Sequence, residues 1–501
     1  MHQPQPTPHA TRLFGLLIII TTALCCSTFV PNLARARASG AQASGIAAAP
    51  QANGQFQVYL PAIVAPWTSP FGVQSEIALT PGALLTRTLE LHAGWARVGP
   101  ISWQALQPNE GDPINWALLA DFENELRTLH AVGITPEVVV IYSPRWATIN
   151  TPFPTSCGAI RSDKFAAFAA FMRALVERYK TPEFGLHHWE LGNEVDVDPR
   201  LVQPDNGFGC WGDISDPFYG GRHYGEMLKV VTPAIRAADS SAQVWVGGLL
   251  LASPNTTDPG FGKPELFLAG VLEAGAAPYF DVVPYHWYPS YGGRKIDYDY
   301  GAGNEWDSWG GGVVGKARYL RELMRDYGVD KPLFLNEISF TCPNDYLGSY
   351  PWCQSPDSQF YELQGSMLIR TLVRGQAEGV VGFIWYTING PGWRYGGLLD
   401  ADANPKLVYR AYQELASHLQ DSSYVEPARY AVGVEGYVFR KGSLQVEVVW
   451  AEQDQTLPIT IPQSRFVGAF NRYGNPIAPI DRGTDYQLLI QFEPIYIVER
   501  P

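Results

Sequence analysis

Residues 187–195, HHWELGNEV, carry a short apolar run into the dipeptide Asn193-Glu194. Residues 331–340, KPLFLNEISF, do the same at Asn336-Glu337. Each run has the length and apolar character of a buried strand, and each follows a helical pattern. The two segments therefore predict strands of a parallel sheet that end on a glutamate.

The Asn-Glu dipeptide alone carries little information, because it occurs five times in the chain. The copies that end at Glu110, Glu125 and Glu305 follow turn residues or lie in a polar helical pattern. Glu194 and Glu337 differ from them by ending apolar runs. Context therefore selects these two glutamates.

Strand-like and helical patterns alternate from residue 71 onward, which is typical of parallel strands joined by crossover helices. The pattern predicts eight strands, at 71–74, 95–98, 135–141, 188–191, 244–249, 280–286, 333–336 and 381–387. Helical patterns lie at 116–132, 164–179, 224–237, 264–274, 316–327, 358–378 and 405–419, and only the first crossover, 75–94, lacks a convincing one. Eight such strands favour an α/β fold of the (β/α)8 (TIM) barrel type over an open sheet.

The pattern changes near residue 420 to an alternation with period two, punctuated by Gly and Pro. It predicts a small C-terminal antiparallel β-sandwich at 421–501, after a barrel at 69–420. Packing against the barrel is the favoured role of the sandwich, with carbohydrate binding as the alternative. Residues 39–68 begin with a stretch rich in Ala, Gly, Gln and Ser and are interpreted as a flexible spacer.

The N-terminus resembles a secretory signal peptide at 1–38, with an apolar run at 13–30 followed by small-residue cleavage signals. The run is also long enough to remain as an uncleaved membrane anchor. Either way the sequence predicts a secreted or cell-surface protein. The formal net charge of -13 argues against nucleic acid as a partner.

Four of the six cysteines lie beyond the leader, an even number that predicts disulfides in an exported chain. Three connectivities are possible. The favoured pairing is Cys157 with Cys210, which ties two neighbouring loops, and Cys342 with Cys353, which closes one loop. Free buried thiols are the alternative.

Polar and aromatic residues cluster at the predicted strand ends, where the active sites of barrel enzymes lie. They are Arg97, Asn193, Glu194, His286, Tyr288, Glu337 and Trp385. Two carboxylates presented in this way are the minimum equipment for hydrolysing a glycosidic bond with retention of configuration.

The chain also resembles the clan A glycoside hydrolases, through the segments WARVGP, SPRWAT, WELGNE, YHWYP, LFLNE and GFIWYT. It is most similar to the group around families 39 and 5. The resemblance implies a retaining (β/α)8 enzyme in which Glu194 is the acid/base and Glu337 the nucleophile. It further implies that Asn193 binds the sugar 2-hydroxyl and that Arg97 keeps Glu337 ionised.

Further substrate contacts are expected from His286 and Tyr288, which can supply hydrogen-bond donors. Trp146 and Trp385 are expected to pack against the flat apolar faces of the sugar rings. The expected partner is a plant- or microbial-type oligosaccharide or polysaccharide.

No cofactor or metal is expected, because the chain has no GxSxG, HExxH or P-loop motif. Asp297, Asp299, Glu305 and Asp307 lack EF-hand spacing and are interpreted as a solvated loop rather than a calcium site. Two alternative functions stay open: a non-catalytic carbohydrate-binding surface protein on a barrel scaffold, and a transglycosylase that uses the same two glutamates.

Overall fold

A computed structural model describes residues 69–149, 157–202, 207–342, 353 and 356–501. The predicted signal peptide and spacer at 1–68 lie outside these residues. Among the helices of the described ranges, none combines the length and the apolar character needed to cross a bilayer.

Eight parallel strands form the N-terminal part of the fold. They are β1 Phe71–Gln74, β2 Trp95–Ser102, β3 Thr135–Ile141, β4 His188–Asn193, β5 Gln243–Gly248, β6 Val283–Trp287, β7 Leu333–Ile338 and β8 Phe383–Tyr386. Their order in the sheet is β5-β4-β3-β2-β1-β8-β7-β6. Parallel bridges pair Trp245 with Val282 and Leu249 with Tyr285, which joins the β5 side to the β6 side. The sheet therefore closes, and the predicted (β/α)8 barrel is confirmed.

The inside of the barrel is apolar near the beginnings of the strands. Trp95, Trp245, Val282, Phe334 and Ile384 pack there as a cluster of their own. The rings of Trp245 and Phe334 lie 4.8 Å apart between centroids. Because side chains alternate along a strand, the residue that follows Trp95 on the same face is Arg97. The interior thus becomes polar toward the C-terminal ends of the strands.

Helices surround the barrel. They are α1 Ala83–Glu90, α2 Trp103–Leu106, α3 Ala120–Val132, α4 Phe165–Tyr179, α5 Gly221–Ala238, α6 Phe267–Glu273, α7 Gly312–Asp326, α8 Ser358–Ala377 and α9 Leu407–Leu419. The prediction that the first crossover has no convincing helix was wrong, since α1 lies there. This helix has 8 residues and two of them are threonine, so its sequence pattern is weak.

Two antiparallel sheets follow α9. Their strands are β9 Ser423–Pro427, β10 Val434–Lys441, β11 Leu444–Ala451, β12 Leu457–Pro462, β13 Phe466–Asn471, β14 Ile480–Asp481, β15 Asp485–Ile490 and β16 Ile495–Glu499. One sheet has the order β13-β16-β11-β10-β9 and the other β12-β15-β14. An apolar cluster that includes Val449, Ile461, Ile490 and Ile497 lies between them. This is the predicted antiparallel sandwich.

Arg370 of α8 joins the sandwich to the barrel. The side chain is fully buried. Its Nη2 donates to the carbonyl oxygens of Ala451 and Phe492 at 2.9 and 2.5 Å, and its Nη1 pairs with Asp297 at 2.8 Å. The charge is thus satisfied by both parts of the chain, as a buried charge requires.

Arg374, one helical turn later, extends this joint. It pairs with Asp297 at 2.7 Å, with Asp299 at 3.1 Å and with Glu435 of β10 at 2.7 Å. The expected solvated loop was therefore wrong for Asp297 and Asp299, which are buried counter-ions of two arginines. A sequence does not reveal that the loop after β6 and helix α8 meet.

The disulfides join Cys157 to Cys210 and Cys342 to Cys353, the pairing favoured from the sequence. The first ties the loop after β3 to the loop after β4, and the second lies within the loop after β7. Disulfides are typical of proteins outside the cytoplasm.

Replacing both cysteines of the longer-range disulfide, Cys157→Ala with Cys210→Ala, is expected to destabilise the fold by about 2–4 kcal/mol. The reason is that the bridge removes conformational entropy from the unfolded chain. Denaturant unfolding of the oxidised proteins measures the difference.

The double variant Cys342→Ala with Cys353→Ala is the matched control. Its bridge spans a sequence separation of 11 rather than 53, so its loss should be about 1 kcal/mol smaller. An equal or larger loss in the control would contradict the chain-entropy explanation.

Candidate active site

Six of the residues singled out from the sequence meet at the C-terminal ends of the barrel strands. Arg97 comes from β2, Asn193 and Glu194 from the end of β4, His286 and Tyr288 from the end of β6, and Glu337 from β7. Direct contacts connect all six.

Arg97 is at the centre of this group, and its side chain is 3% exposed. Its Nη1 donates to Glu337 Oε2 at 3.0 Å and its Nη2 to Asn193 Oδ1 at 2.7 Å. Its Nε donates to Glu190 Oε2 at 2.9 Å. Burial disfavours the charged guanidinium, but Glu190, Glu137 and Glu337 outweigh burial and raise the pKa of Arg97. The guanidinium therefore remains a cation at any pH at which the fold exists.

His286 lies between the two predicted catalytic carboxylates. Its Nδ1 is 2.9 Å from Glu194 Oε1 and 3.3 Å from Glu337 Oε2. Burial lowers the pKa of His286, so the ring is neutral, and we assign its proton to Nδ1 because both neighbours there are acceptors. The two carboxylate oxygens cannot be farther apart than the sum of these distances.

Gly248 makes room for this arrangement. A side chain on this residue would place its Cβ 2.2 Å from His286 Nε2. The backbone amide of Gly248 donates to Glu190 Oε1 at 2.6 Å. A glycine at the end of β5 therefore lets the imidazole and Glu190 sit side by side.

Glu194 occupies an unusual backbone position, with φ of 46°. Such strained positions cluster at functional sites. Its side chain is 10% exposed. Burial raises the pKa of Glu194 to about 7, and the charges of Arg97 and Lys316 offset only part of that rise. A carboxyl group of this kind can hold a proton near neutral pH and release it to a substrate.

Glu337 has a different environment from Glu194. It accepts hydrogen bonds from Arg97 and from the hydroxyl of Tyr288. The pairing of β6 with β7 is irregular between Pro284 and His286, where the register shifts. Irregular pairing often re-aims a side chain next to an active site. Glu194 is thus a buried carboxyl group with a pKa near neutral pH, while Glu337 accepts hydrogen bonds from a cation and a hydroxyl group.

The amide of Asn193 is held at both ends. Its Oδ1 accepts from Arg97, and its Nδ2 donates to the carbonyl oxygen of Gly207 at 2.9 Å. One N–H of the amide group is left for another partner. The side chain is therefore fixed beside Glu194 before any ligand arrives.

Trp385 does not lie in this group. Its side chain is 1% exposed and its indole donates to the carbonyl oxygen of Gly396 at 2.9 Å. The expectation that a sugar packs on Trp385 is therefore wrong for this structure, because the ring is enclosed. Ile384 faces the barrel interior, and side-chain alternation places Tyr386 rather than Trp385 on the same face.

Two aromatic side chains that the sequence did not single out, Tyr386 and Trp393, pack against Tyr288, whose hydroxyl binds Glu337. Their rings lie 6.5 and 5.1 Å from the ring of Tyr288, both edge to face. The hydroxyl of Tyr386 donates to Glu76 at 3.2 Å. Trp393 is half-buried. The sequence signal for Tyr386 was its position two residues after Ile384, because such a spacing places both side chains on the same face of a strand.

Trp146 lies after β3, half-buried against Trp103, with ring centroids 5.1 Å apart. Its indole donates to the carbonyl oxygen of Gln107 at 3.1 Å. These contacts of Trp146 involve neither Glu194 nor Glu337. Trp146 is thus separate from the central group, and its role toward a substrate stays a prediction.

A metal site is not part of this arrangement. Within the ranges that the structure describes, no three His, Cys, Asp or Glu side chains are grouped to hold an ion. The space between the buried glutamates is filled by the Arg97 guanidinium.

Comparison with solved structures identifies the fold. The chain matches a family 39 glycoside hydrolase from Bacteroides cellulosilyticus with a TM-score of 0.63 and 18% identity, over 86% of this chain and 81% of that one. It matches a monomeric β-xylosidase from Caulobacter crescentus with a TM-score of 0.55 and 17% identity, over 87% and 96%. A family 30 endoxylanase from Clostridium papyrosolvens gives 0.56 and 14%, over 86% and 96%. The chain therefore has the barrel fold found in these family 39 and family 30 glycoside hydrolases.

Comparisons at the level of sequence found no match, either among protein-family models or among curated proteins. The likeness to the solved structures is one of fold.

Replacing the central cation, Arg97→Met, is expected to reduce the free energy of unfolding by about 3–5 kcal/mol. The reason is that the substitution leaves buried carboxylates without their counter-ion. Chemical denaturation measures the loss.

Arg127→Met is the matched control, because Arg127 also pairs with a glutamate but has a side chain that is 42% exposed. Its loss should stay near 0–1 kcal/mol, as is usual for surface ion pairs. A comparable loss in both variants would contradict the central role assigned to Arg97.

Proposed function

We propose that the protein is a secreted retaining glycoside hydrolase that cleaves O-glycosidic bonds through a covalent glycosyl-enzyme intermediate. The observation that carries this proposal is the approach of Glu194 and Glu337 to one nitrogen of His286, at 2.9 and 3.3 Å. These distances bound the separation of one oxygen pair at their sum, which lies below the roughly 6.5 Å at which the carboxyl separations of inverting glycosidases begin and so supports a retaining pair. An inverting enzyme needs room for a water between its carboxyl groups, whereas the carboxyl groups of a retaining enzyme lie about 5–5.5 Å apart.

Glu337 is the nucleophile in this proposal. Its carboxylate attacks the anomeric carbon and forms the glycosyl ester, while the bond to the leaving-group oxygen breaks. Arg97 and Tyr288 hold the carboxylate in place by donating to its two oxygens. As the ester forms, the negative charge on Glu337 is lost.

Glu194 is the acid/base. In the first step it donates its proton to the leaving-group oxygen. In the second step the same carboxylate accepts a proton from the water that attacks the ester, and free sugar leaves. Its raised pKa supports this role, since the group must be protonated in one step and ionised in the next.

His286 and Asn193 are positioning groups in this proposal. The proton on His286 Nδ1 can serve either carboxylate, so the ring keeps both in place as charge moves between the two steps. The remaining N–H of Asn193 is available to the sugar 2-hydroxyl, where a hydrogen bond strengthens in the transition state.

The aromatic group of Tyr288, Tyr386 and Trp393, which reaches Glu337 through the Tyr288 hydroxyl, suits the apolar face of a sugar. Solved structures with the same fold include a β-xylosidase, an endoxylanase and a glucosidase. Aryl xylosides and glucosides, followed by the matching polysaccharides, are therefore the first substrates to test. Product analysis separates hydrolysis from transglycosylation.

The variant Glu194→Gln is expected to lose much more activity on aryl glycosides with poor leaving groups than on activated ones. Only a poor leaving group needs the proton that Glu194 supplies, and general acid catalysis contributes roughly 10²–10⁴-fold. Glu337→Ala is expected to lose turnover of both kinds of substrate. Steady-state rates on a series of leaving groups measure the difference.

Glu305→Gln is the matched control, because Glu305 also follows an asparagine but is exposed. Its rates should equal those of the unaltered protein. Sugar binding without turnover, unchanged by Glu337→Ala, would instead support the non-catalytic alternative. Equal losses on both kinds of leaving group in Glu194→Gln would contradict the acid role.

The value of kcat/KM is expected to fall as the pH rises through about 7, because Glu194 must be protonated to donate. The sign follows from burial, which raises the pKa of this group and keeps the acid form up to neutral pH. A pH profile on a substrate with a poor leaving group measures it. For the variant Glu194→Gln, measured on an activated substrate, kcat/KM should not fall as the pH rises through about 7. If the fall persists in this variant, a group other than Glu194 causes it.

A further inference from the structure

Glu137 is a fully buried carboxyl group that the catalytic scheme does not use. It lies in β3 and is 0% exposed. In the sheet it pairs with Arg97 of β2 on one side and with His188 of β4 on the other. It therefore lies inside the barrel, beneath the proposed catalytic pair.

The donors around Glu137 are directed elsewhere. Arg97 Nε is 3.4 Å from Glu137 Oε2 but only 2.9 Å from Glu190 Oε2, which takes its hydrogen bond. Glu190 also accepts from the amide of Gly248. Among the described residues, neither oxygen of Glu137 accepts a hydrogen bond. Glu190 has the surroundings of an ionised carboxylate, and Glu137 does not.

An ionised carboxylate without donors is very unfavourable in a buried position. Two adjacent carboxyl groups avoid this cost when one of them is protonated and donates to the other. Burial and then the charge of Glu190 raise the pKa of Glu137 well above its usual range. Burial opposes ionisation of Glu190 too, but the charge of Arg97 together with hydrogen bonds from Glu137 and the Gly248 amide outweighs it and lowers the pKa of Glu190.

The charged and titratable groups that face Glu137 come from the two strands paired with β3 and from β7. They are Arg97 of β2, Glu190 of β4 and Glu337 of β7. His188 packs below, with its ring 5.0 Å from that of Trp95. Burial lowers the pKa of His188 to about 4, so it adds no charge near neutral pH. Arg97 thus provides the main positive charge that acts on Glu137.

We propose that Glu137 is a neutral carboxylic acid that donates a hydrogen bond to Glu190 and thereby positions Arg97 against Glu337. This role rests on the proposed function for its effect on catalysis. A proton on Glu137 leaves the guanidinium with two charged partners in the barrel, Glu190 at Nε and Glu337 at Nη1. A third carboxylate would compete for Nε and draw the guanidinium away from the nucleophile.

The proton itself can be tested without any substrate. The infrared difference spectrum of wild type minus Glu137→Gln near pH 7 should contain the carbonyl stretch of a protonated carboxyl group. Bands of an ionised carboxylate alone would overturn the proposal.

The unfolding equilibrium gives a second, independent readout. The folded protein keeps the proton on Glu137, whereas the unfolded chain releases it above a pKa of about 4.3. Stability is therefore lost as the pH rises, and from about pH 5 to 7 the unfolding constant of wild type should rise about tenfold more per pH unit than that of Glu137→Gln. Parallel slopes for the two proteins would overturn the proposal.

The positioning role is tested by kinetics on the aryl glycoside that gives turnover. Glu137→Gln keeps the shape and a donor, so its kcat should stay within about threefold of wild type, whereas Glu137→Met should lose about 10–100-fold in kcat with KM little changed. Glu190→Met removes the acceptor for Arg97 Nε and should lose at least as much as Glu137→Met.

The two proposals can fail separately. Equal kcat losses in Glu137→Gln and Glu137→Met would overturn the positioning role while the glycosidase assignment stands. Absence of turnover in wild type on every glycoside would overturn the proposed function, while the spectrum and the unfolding slopes would still decide the protonation state. If Glu137→Met does not fold, Glu137→Gln and wild type still give both of those readouts.

Discussion

The arrangement at the mouth of the barrel depends on one buried cation. Arg97 contacts acceptors from β1, β4 and β7 through Gln74, Glu190, Asn193 and Glu337. A guanidinium suits this task because its donors form a rigid planar fork that fixes several partners at once. Since the charge is surrounded by protein rather than water, the strand ends cannot separate without exposing or abandoning it. The same contact therefore closes the fold locally and orders the candidate site.

Much of the architecture follows from sequence pattern. All eight barrel strands appear where apolar runs predicted them, because a strand buried on both faces has a composition that few other elements share. The first crossover helix was not predicted, because a short helix with two threonines has little hydrophobic periodicity. Strand ends also revealed Arg97, Glu194, His286 and Glu337, since the topology of a barrel brings such ends together.

Other parts of the site depend on facts that a single sequence does not contain. Trp385 lies near the end of β8, but side-chain alternation along this strand directs it away from the barrel interior and directs Tyr386 inward. Glu137 and Glu190 lie within apolar runs, where a carboxyl group gives no sign of its partners. Their roles follow from the packing of β2, β3 and β4, which brings both carboxyl groups to Arg97. Tertiary contact, rather than local pattern, assigns such groups.

Arg370 and Arg374 of α8 make the barrel depend on contacts with the sandwich. The guanidinium of Arg370 is satisfied in part by backbone carbonyls of Ala451 and Phe492, which belong to the sandwich. A barrel separated from those carbonyls would keep a buried charge with vacant donors. Genetic recombination that exchanges the last eighty or so residues for another β-module would thus succeed only if the newcomer brings acceptors at the same points. Buried charges thus join the sandwich to its barrel, in contrast to an accessory module that is attached only by a linker.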